Sequence, residues 1–442
     1  MRYTSLQDRV TIGELAAAGC NDQAIAEQLG WQPRTVRKWR RRLQTLGRAG
    51  LVSKMGRPAK GALSSFSEPV GATLRHWREG HPRWGPLTLR VEATQDHSLA
   101  GQRLPSRTTI ARWLKAKRLT HSYQRQRELV PSSAAPAQAA HEVWEMDAYG
   151  TVSVPDVGKI SLINVNDCFS HAKLLSFPCL VGDTRVERHA DTADYLLVLR
   201  LTFVNWGLPQ HLRVDRDSIY CDNTNKSPFP TRLHLFLLGL GIELVIGPAH
   251  QPRKRAITER THQTWAWQVL EGQTFVDWDA LWQALEARRE FLNHSLPCRA
   301  CDNVPPLVAH PQAAVPRRPY DPQDEPAMFD LDRIAAYLAQ GEWFRKASNV
   351  GVVTIGDQHY TLGQQWAKHE VQVTFDPTER TLIFLDHDAQ QTKRLPIKGI
   401  SYTELAGDMS RLFQLHPYQL PLPFTWSERR LARLCETLSG TT

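Results

Sequence analysis

Apolar positions recur with helical spacing in the first fifty residues. In the segment Gln7–Ala18 the apolar residues Val10, Ile12, Leu15 and Ala16 lie near the helical period, and Gly19 follows as a stop signal. Asn21 is a candidate N-cap for a second short helix that closes at Gly30, and a third helix is predicted to begin near Arg34. Three short helices in this order are typical of a helix-turn-helix unit.

A second helical pattern lies between residues 66 and 129. Predicted helices cover Thr73–Arg78 and Leu87–Ala93, on either side of a Trp-Gly-Pro turn. Ser106 is a candidate N-cap for the last helix, whose first turn begins at Arg107 and is basic and rich in threonine. This region is therefore predicted to be a second unit of helix-turn-helix type.

Residues 142–296 change to short apolar strands that alternate with amphipathic helices, a pattern that indicates a mixed α/β domain. The predicted strands are Val143–Gly150, Lys159–Val165, Lys173–Leu180, His211–Val214 and Ile242–Ile246. The predicted helices are Asp191–Trp206, Thr231–Leu240, Ile257–Leu270 and Trp278–Asn293.

The C-terminal part follows a proline-rich stretch and reads as a series of short strands. A short helix over Leu331–Leu338 precedes them, and an amphipathic helix is predicted at Thr425–Leu438. The pattern predicts a small β-barrel. Its predicted strands are Trp343–Lys346, Val350–Ile355, His359–Leu362, Glu370–Phe375 and Thr381–Leu385.

The chain is thus predicted to be multidomain, with α-helical helix-turn-helix units, a central α/β core and a C-terminal small β-barrel. At 442 residues it is long enough for three or four domains. The predicted segments are 1–50 (helix-turn-helix), 51–65 (basic linker), 66–129 (second helix-turn-helix-like unit), 130–141 (linker), 142–296 (α/β core), 297–330 (Pro-rich linker), 331–400 (β-barrel) and 401–442 (helical tail).

Charge is distributed unevenly along the chain. Residues 1–130 carry 24 Lys and Arg against 9 Asp and Glu, a net charge of +15; because the whole chain carries +9, the remainder sums to −6. A basic N-terminal third predicts nucleic-acid binding, since Lys and Arg that neutralise phosphates release counterions. A solvated helix face is the alternative, but it would not concentrate the excess in one third.

Other compositional features narrow the class of protein. No run approaches eighteen apolar residues and the N-terminus lacks a signal-peptide pattern, so a soluble intracellular protein without membrane contact is expected. Seven scattered cysteines do not form a disulfide framework. We expect the close pair Cys298 and Cys301 to be reduced thiols rather than half of a zinc site.

The last helix of each helical unit supplies candidate DNA contacts. In a helix-turn-helix this helix enters the major groove, and its first residues reach base edges or phosphates. A Gly-Arg-Pro tripeptide in the basic linker resembles the arms that enter minor grooves, with a plain linker as the alternative. A three-helix protein-binding module is the alternative for the first unit. The candidates are Arg34, Thr35, Arg37, Lys38, Arg41, Arg57, Arg107, Thr108 and Arg112.

Three acidic residues carry the candidate chemistry of the core. Asp147 lies in the first predicted strand, Asp215 follows the fourth, and Glu259 lies in a late helix. Alone, each is more often a surface or capping carboxylate, but a sheet crossed by a helix can bring all three together. Hard cations such as Mg²⁺ take oxygen ligands, and two such ions can assist in-line phosphoryl displacement. The three acids therefore predict a site for Mg²⁺ or Mn²⁺, with two ions.

The residues around these acids resemble the Asp-Asp-Glu core of DDE transposases of the retroviral-integrase superfamily, in particular the bacterial insertion-sequence type. The resemblance implies a ribonuclease-H-like core, with the first acid on strand one, the second after strand four and the glutamate on a late helix. The motifs are Trp144-x-x-Asp147, Val214-Asp215 and Ile257-Thr258-Glu259-Arg260.

The resemblance also implies an activity. The protein would bind the ends of a mobile element, cleave a phosphodiester with water, and join the freed 3′-hydroxyl to target DNA by transesterification. Its partners would be double-stranded DNA of the ends and of the target, together with at least one further copy of the chain. Its expected location is the bacterial cytoplasm, in association with the nucleoid.

The sequence departs from the family's pattern beside two of the acids, and ahead of Glu259 it has Arg255-Ala256 where the family usually has Asn-Gly. Asp215 is followed by Arg-Asp-Ser instead of Asn-Gly, and the gap to Glu259 is longer, with Cys221–Pro230 as the expected insertion. Asp217 and Asp222 are therefore alternative second ligands. Two further functions stay open: a catalytically inactive domesticated transposase that acts as a sequence-specific DNA-binding regulator, and a nuclease that cuts without joining.

Positive charge gathers around the third acid. Lys254 and Arg260 are candidates for steering DNA phosphates toward the site. Ordinary solvated side chains are the alternative.

Overall fold

The computed structural model describes residues 4–52, 61–120, 136–182, 188–222, 227–247, 256–386 and 388–418, with the backbone alone at 256–259 and 416–418. Several predicted features lie outside these ranges: Arg57, Lys254, the first part of the linker 130–141 and the helix Thr425–Leu438. The chain divides into two compact units, Met1–Ser67 and Glu68–Thr442.

The first unit consists of three helices, in the predicted order. They are α1 (Leu6–Ala17), α2 (Asp22–Leu29) and α3 (Pro33–Leu46). The Asn21 side chain accepts from the Ala24 amide and Gly30 adopts φ 67°, as expected for an N-cap and a C-terminal stop. Val36 and Trp39 of α3 are buried against α1 and α2, which leaves the basic side of α3 in solvent.

Three more helices open the second unit, and they pack on its core. They are α4 (Glu68–Gly80), α5 (Pro86–Gln95) and α6 (Arg107–Ala116), with Ser106 as the N-cap of α6. The Trp84 ring stacks on His81 at 3.8 Å, and its indole N–H donates to the Gln268 carbonyl at 3.3 Å. An ion pair of 2.7 Å between Glu92 and Arg288 adds a second attachment.

A five-stranded mixed sheet lies at the centre of the second unit. The strands are β1 (Val143–Val154), β2 (Gly158–Asp167), β3 (Lys173–Gly182), β4 (His211–Val214) and β5 (Glu243–Ile246). The spatial order is β3-β2-β1-β4-β5; the first three strands are antiparallel neighbours, while β4 runs parallel to both β1 and β5.

Helices cover both faces of this sheet. Met146 and Val165 point to one face and pack with α7 (Thr192–Trp206) and α8 (Arg232–Gly239). Ile160 and Leu162 point to the other, under α9 (Ala256–Trp265) and α10 (Trp278–His294). The predicted helix Ile257–Leu270 differs in its last part, because Ala266–Leu270 is a π-helical turn. Trp84 donates to a carbonyl of this widened turn.

The segment 297–330, predicted as a linker, is packed on the core. It contains the short helices α11 (Pro306–Ala309) and α12 (Glu325–Met328), and Tyr320 is buried. The Arg318 guanidinium donates to the carbonyls of Pro209 and Gly241, at 2.8 and 2.9 Å. Prolines here provide turns along a covered surface rather than a free tether.

The C-terminal strands differ from the predicted barrel. After α13 (Leu331–Leu338), β6, β9, β10 and β11 form an antiparallel sheet, and β7 pairs only with β8; in the part of the chain that is described, these strands do not close into a barrel. The last described helices are α14 (Tyr402–Ala406) and α15 (Ser410–Tyr418). The strands are β6 (Trp343–Lys346), β7 (Val352–Ile355), β8 (Gln358–Thr361), β9 (Glu370–Asp376), β10 (Thr381–Asp386) and β11 (Gln391–Pro396).

None of the helices within the described ranges is long and apolar enough to cross a membrane. The thiols of Cys298 and Cys301 are both free.

Candidate active site

The register of β1 against β4 brings two of the predicted acids side by side. Trp144 pairs with Leu212 and Glu145 with Arg213. Asp147 and Asp215 follow the second pair by two residues in their respective segments. β4 ends at Val214, so Asp147 lies at the point along β1 where β4 no longer runs beside it. In open α/β sheets, ligands bind in the crevice beyond the carboxyl ends of such parallel strands.

Two buried tyrosines lie close enough to these acids to sense their charge. The rings of Tyr195 and Tyr220 meet edge to face at 5.5 Å. Burial raises the pKa of Tyr195, and the negative charges of Asp217, Asp147 and Asp215 raise it further. Burial likewise raises the pKa of Tyr220, with contributions from the same carboxylates. Both phenols therefore stay neutral, and Asp147 and Asp215 share one electrostatic environment.

The alternative acids have different surroundings. The Asp217 carboxylate is exposed and accepts from the Ile219 amide and the Ser218 hydroxyl, each at 3.1 Å, so it caps its own turn. Asp222 lies near Arg345 of β6, where its charge opposes the effect of burial on that guanidinium's pKa. Asp215 alone of the three directly continues β4 next to Asp147.

The helix that contains the third acid lies over the same part of the sheet. The buried Thr261 hydroxyl donates to Asn166 Oδ1 of β2 at 3.4 Å. The His262 ring packs on Tyr149 of β1 with 5.1 Å between centroids. Burial lowers the pKa of His262 to about 4, although a hydrogen bond to the Asp147 backbone opposes this shift. Glu259 belongs to the first turn of this helix, and its carboxylate lies outside what the structure describes.

The donor chemistry of the site suits a hard cation. Asp147, within β1, and Asp215, directly after β4, are half-buried carboxylates, and oxygen ligands of this kind are what Mg²⁺ and Mn²⁺ take. No group of three His, Cys, Asp or Glu side chains at metal-binding distance occurs among the described residues, from which the Glu259 side chain is left out.

The candidate DNA-binding side chains mostly face solvent. In α3, Arg34, Lys38 and Arg41 are exposed and Thr35 is half-buried. Arg37 is exposed as well, but its Nε lies 3.2 Å from the Asp22 carboxylate of α2.

The α6 candidates have the same exposure. Arg107, Thr108 and Arg112 lie on the open side of the helix, opposite the buried Trp113. Arg260 is also exposed. Each basic helix thus presents one polar side to solvent, as a helix that enters a groove must.

Sequence reasoning missed the residues that support the acids. Tyr195, Tyr220 and Thr261 lie far from Asp147 in sequence and belong to no motif. A local sign of a polar site was present in β2. Asn164 and Asn166 occupy alternate positions where a buried strand is expected to have apolar residues.

Comparison with known proteins identifies the class of the first unit. Residues 3–52 match the model of the Homeodomain-like domain family, which agrees with the three-helix order of α1–α3.

Three solved structures are similar to parts of this chain. The cryo-EM structure of the simian T-cell lymphotropic virus intasome in complex with PP2A regulatory subunit B56 gamma is 13% identical, covers 71% of this chain and 97% of its own, and has a TM-score of 0.33. The HTLV-2 integrase catalytic core domain in complex with magnesium, in its trimeric form, is 13% identical over 39% of this chain and 98% of its own, with a TM-score of 0.28. The catalytic core domain of BIV integrase is 14% identical over 39% and 95%, with a TM-score of 0.28.

Proposed function

We propose that the protein is a DDE-type polynucleotidyl transferase, a transposase or integrase that cleaves DNA at element ends and joins them to target DNA. The observation that supports this most directly is the β1–β4 register, which sets Asp147 beside Asp215 under the helix that contains Glu259. The basic helices α3 and α6 supply the means to bind the DNA that such a site would act on.

Each acid has a distinct place in the proposed mechanism. Asp147, held in the middle of a paired strand, and Asp215, at a strand end, would hold Mg²⁺ together with Glu259. When bound, a pair of such ions activates the attacking oxygen and stabilises the leaving one in an in-line displacement. The buried phenols of Tyr195 and Tyr220 stay protonated and add no negative charge near the carboxylates.

Neither cleavage nor joining requires a covalent intermediate with the protein. In cleavage, a water oxygen attacks the phosphorus at the element end and the 3′-oxygen leaves as a hydroxyl. In joining, that 3′-hydroxyl attacks a phosphodiester of the target, and a target 3′-oxygen leaves. Because two ends must be joined to one target, we expect at least two copies of the chain on the DNA.

The test uses the full chain, Mg²⁺, duplexes carrying the inverted repeats that flank the coding region, and a plasmid target. Asp147→Asn, Asp215→Asn and Glu259→Gln should each reduce strand transfer by about a thousandfold or more, because each removes a charged ligand. All three should bind the duplexes as tightly as the wild type does.

Asp217→Asn and Asp222→Asn are the matched controls and should keep most of the activity. If Asp217→Asn or Asp222→Asn abolishes joining while Asp215→Asn does not, the second ligand is misassigned. Cleavage without joining would indicate a nuclease. Tight binding with neither reaction would indicate a DNA-binding regulator.

A further inference from the structure

We propose that Lys173, Thr261 and Asn166 are positioning residues that seat α9 on the sheet and so fix the place of Glu259. This inference rests on the proposed function, because it assigns a role to the side chains that hold the helix of the third acid.

A continuous set of contacts links the three residues. The Lys173 ammonium at the start of β3 donates to Thr261 Oγ1 at 2.8 Å. The Thr261 hydroxyl donates in turn to Asn166 Oδ1 of β2 at 3.4 Å. Thr261 follows Glu259 by two residues in α9, so the network acts within one turn of the acid.

The backbone of Lys173 is itself fixed. Its amide donates to Asn293 Oδ1 and its carbonyl accepts from Asn293 Nδ2, each at 2.8 Å. Asn293 belongs to α10 and is fully buried. The origin of the lysine side chain is therefore held by the helix next to α9, which limits where its ammonium can reach.

The surface of the sheet changes from apolar to polar where α9 begins. Along β2, Ile160 and Leu162 give way to Asn164 and Asn166 on the same face, all completely buried. An apolar contact would hold a helix there without the cost of burying polar atoms. Hydrogen bonds restrict position more narrowly than apolar contacts do, and a catalytic group misplaced by about 1 Å loses about a hundredfold in rate.

A buried carboxylate lies near the lysine. Burial lowers the pKa of the Lys173 ammonium to about 8, and the negative charge of Glu145, two residues before Asp147 in β1, partly opposes this shift. The Arg213 guanidinium lies 3.7 Å from the same carboxylate. The two cations offset the charge of Glu145 beside the proposed metal ligands.

The test compares Thr261→Val with Thr261→Ser. Valine has the shape of threonine without the hydroxyl, whereas serine keeps the hydroxyl. We expect Thr261→Val to reduce the rate of strand transfer by about ten- to a hundredfold. Thr261→Ser should keep most of the wild-type rate. Thr202→Val is the matched control, because Thr202 is an equally buried threonine in α7 whose hydroxyl donates to the Val198 carbonyl of its own helix at 2.7 Å.

Metal binding provides a readout other than activity. Mn²⁺ titration followed by electron paramagnetic resonance should show about a tenfold loss of affinity in Thr261→Val and in Lys173→Met, and none in Thr202→Val. The double variant should be no worse than either single one, since each removes the same network.

The outcomes separate this inference from the proposed function. If Glu259→Gln abolishes joining while Thr261→Val and Lys173→Met both keep wild-type rates and Mn²⁺ affinity, the inference is overturned and the function stands. If Glu259→Gln is fully active, the proposed site fails first. If Thr261→Val is unstable and Thr261→Ser does not recover Mn²⁺ affinity, the hydroxyl does not position the helix.

Discussion

Burial determines the protonation of individual histidines in this protein. His234 of α8 is buried, and its ring meets Tyr337 edge to face at 5.1 Å. Burial lowers its pKa to about 4, because an imidazolium without water or a counterion is unfavourable. The pKa of His81 is lowered to about 4 as well, by burial and then by the charge of Arg288. These rings are neutral at physiological pH and contribute as packing groups.

The first prediction concerns stability in acid. Between pH 6.5 and pH 4 the unfolded chain protonates His234 while the folded chain does not, so the free energy of unfolding falls as the pH falls. The contribution of this one ring is at most about 3 kcal/mol. His234→Gln should therefore flatten the dependence of urea stability on pH in this window. The exposed His97 is the control, and His97→Gln should leave the slope unchanged; equal slopes for wild type and His234→Gln would contradict the account.

At the scale of elements, α3 shows how one helix divides its faces. Trp39 is buried in the first unit and lies under the guanidinium of Arg9, at 4.2 Å from the ring centroid. The opposite face is exposed and basic, and Arg41 lies on it. We therefore expect α3 to contact DNA through cations whose loss changes the salt dependence of binding.

The second prediction follows from that face. Arg41→Gln should weaken binding to a duplex and reduce the slope of log K against log salt by about 0.9, the value for one phosphate contact. The measurement is fluorescence anisotropy over a salt series. Gln44→Ala, at an exposed neutral position of the same helix, should keep the wild-type slope. An unchanged slope in Arg41→Gln would remove this residue from the phosphate contacts.

Local patterns predicted most elements well, since caps and periodicity are local properties. Strand β4 has its predicted bounds, and Thr231, predicted as the first residue of a helix, is the N-cap of α8. Strand β11 was missed, because its sequence is polar and Lys393 occupies an inward position, where its ammonium reaches the carbonyls of Thr361 and Leu362. The π-helical turn after Trp265 left no signal in the periodicity either.

The candidate site was predicted only in part, because local patterns do not determine which distant segments meet. Sequence order suggested that Asp147 and Asp215 end neighbouring strands, but their adjacency depends on the β1–β4 register, which is a long-range property. The contacts of Lys173 and Thr261 depend on how α9 sits on the sheet. The roles of the three acids and of the DNA-binding residues stay predictions.

At the scale of the second unit, the C-terminal sheet and the central core share one hydrophobic cluster, which includes Trp144 of β1 and Phe384 of β10. A buried ion pair reinforces the connection. The Arg200 guanidinium of α7 donates to both oxygens of Glu325, at 2.7 and 2.9 Å, and the Tyr402 hydroxyl donates to the same carboxylate at 2.9 Å. The C-terminal strands are therefore held to the core rather than tethered to it.

The third prediction tests this attachment. Glu325→Gln leaves a buried guanidinium without its counterion, so we expect the free energy of unfolding to fall by about 3–5 kcal/mol. Urea denaturation monitored by tryptophan fluorescence is the measurement. Asp332→Asn, which breaks the solvent-exposed pair with Arg380, should have little effect. Comparable losses in both variants would contradict the role assigned to the buried pair.

Anomalous diffraction from crystals of the full chain with a bound duplex and Mn²⁺ tests the central claim most directly. We expect a Mn²⁺ peak about 2.1 Å from carboxylate oxygens of both Asp147 and Asp215, with the Glu259 carboxylate completing the site. Mn²⁺ held by Asp217 or Asp222 in place of Asp215, or an ordered site with Glu259 turned away from Asp147, would contradict it.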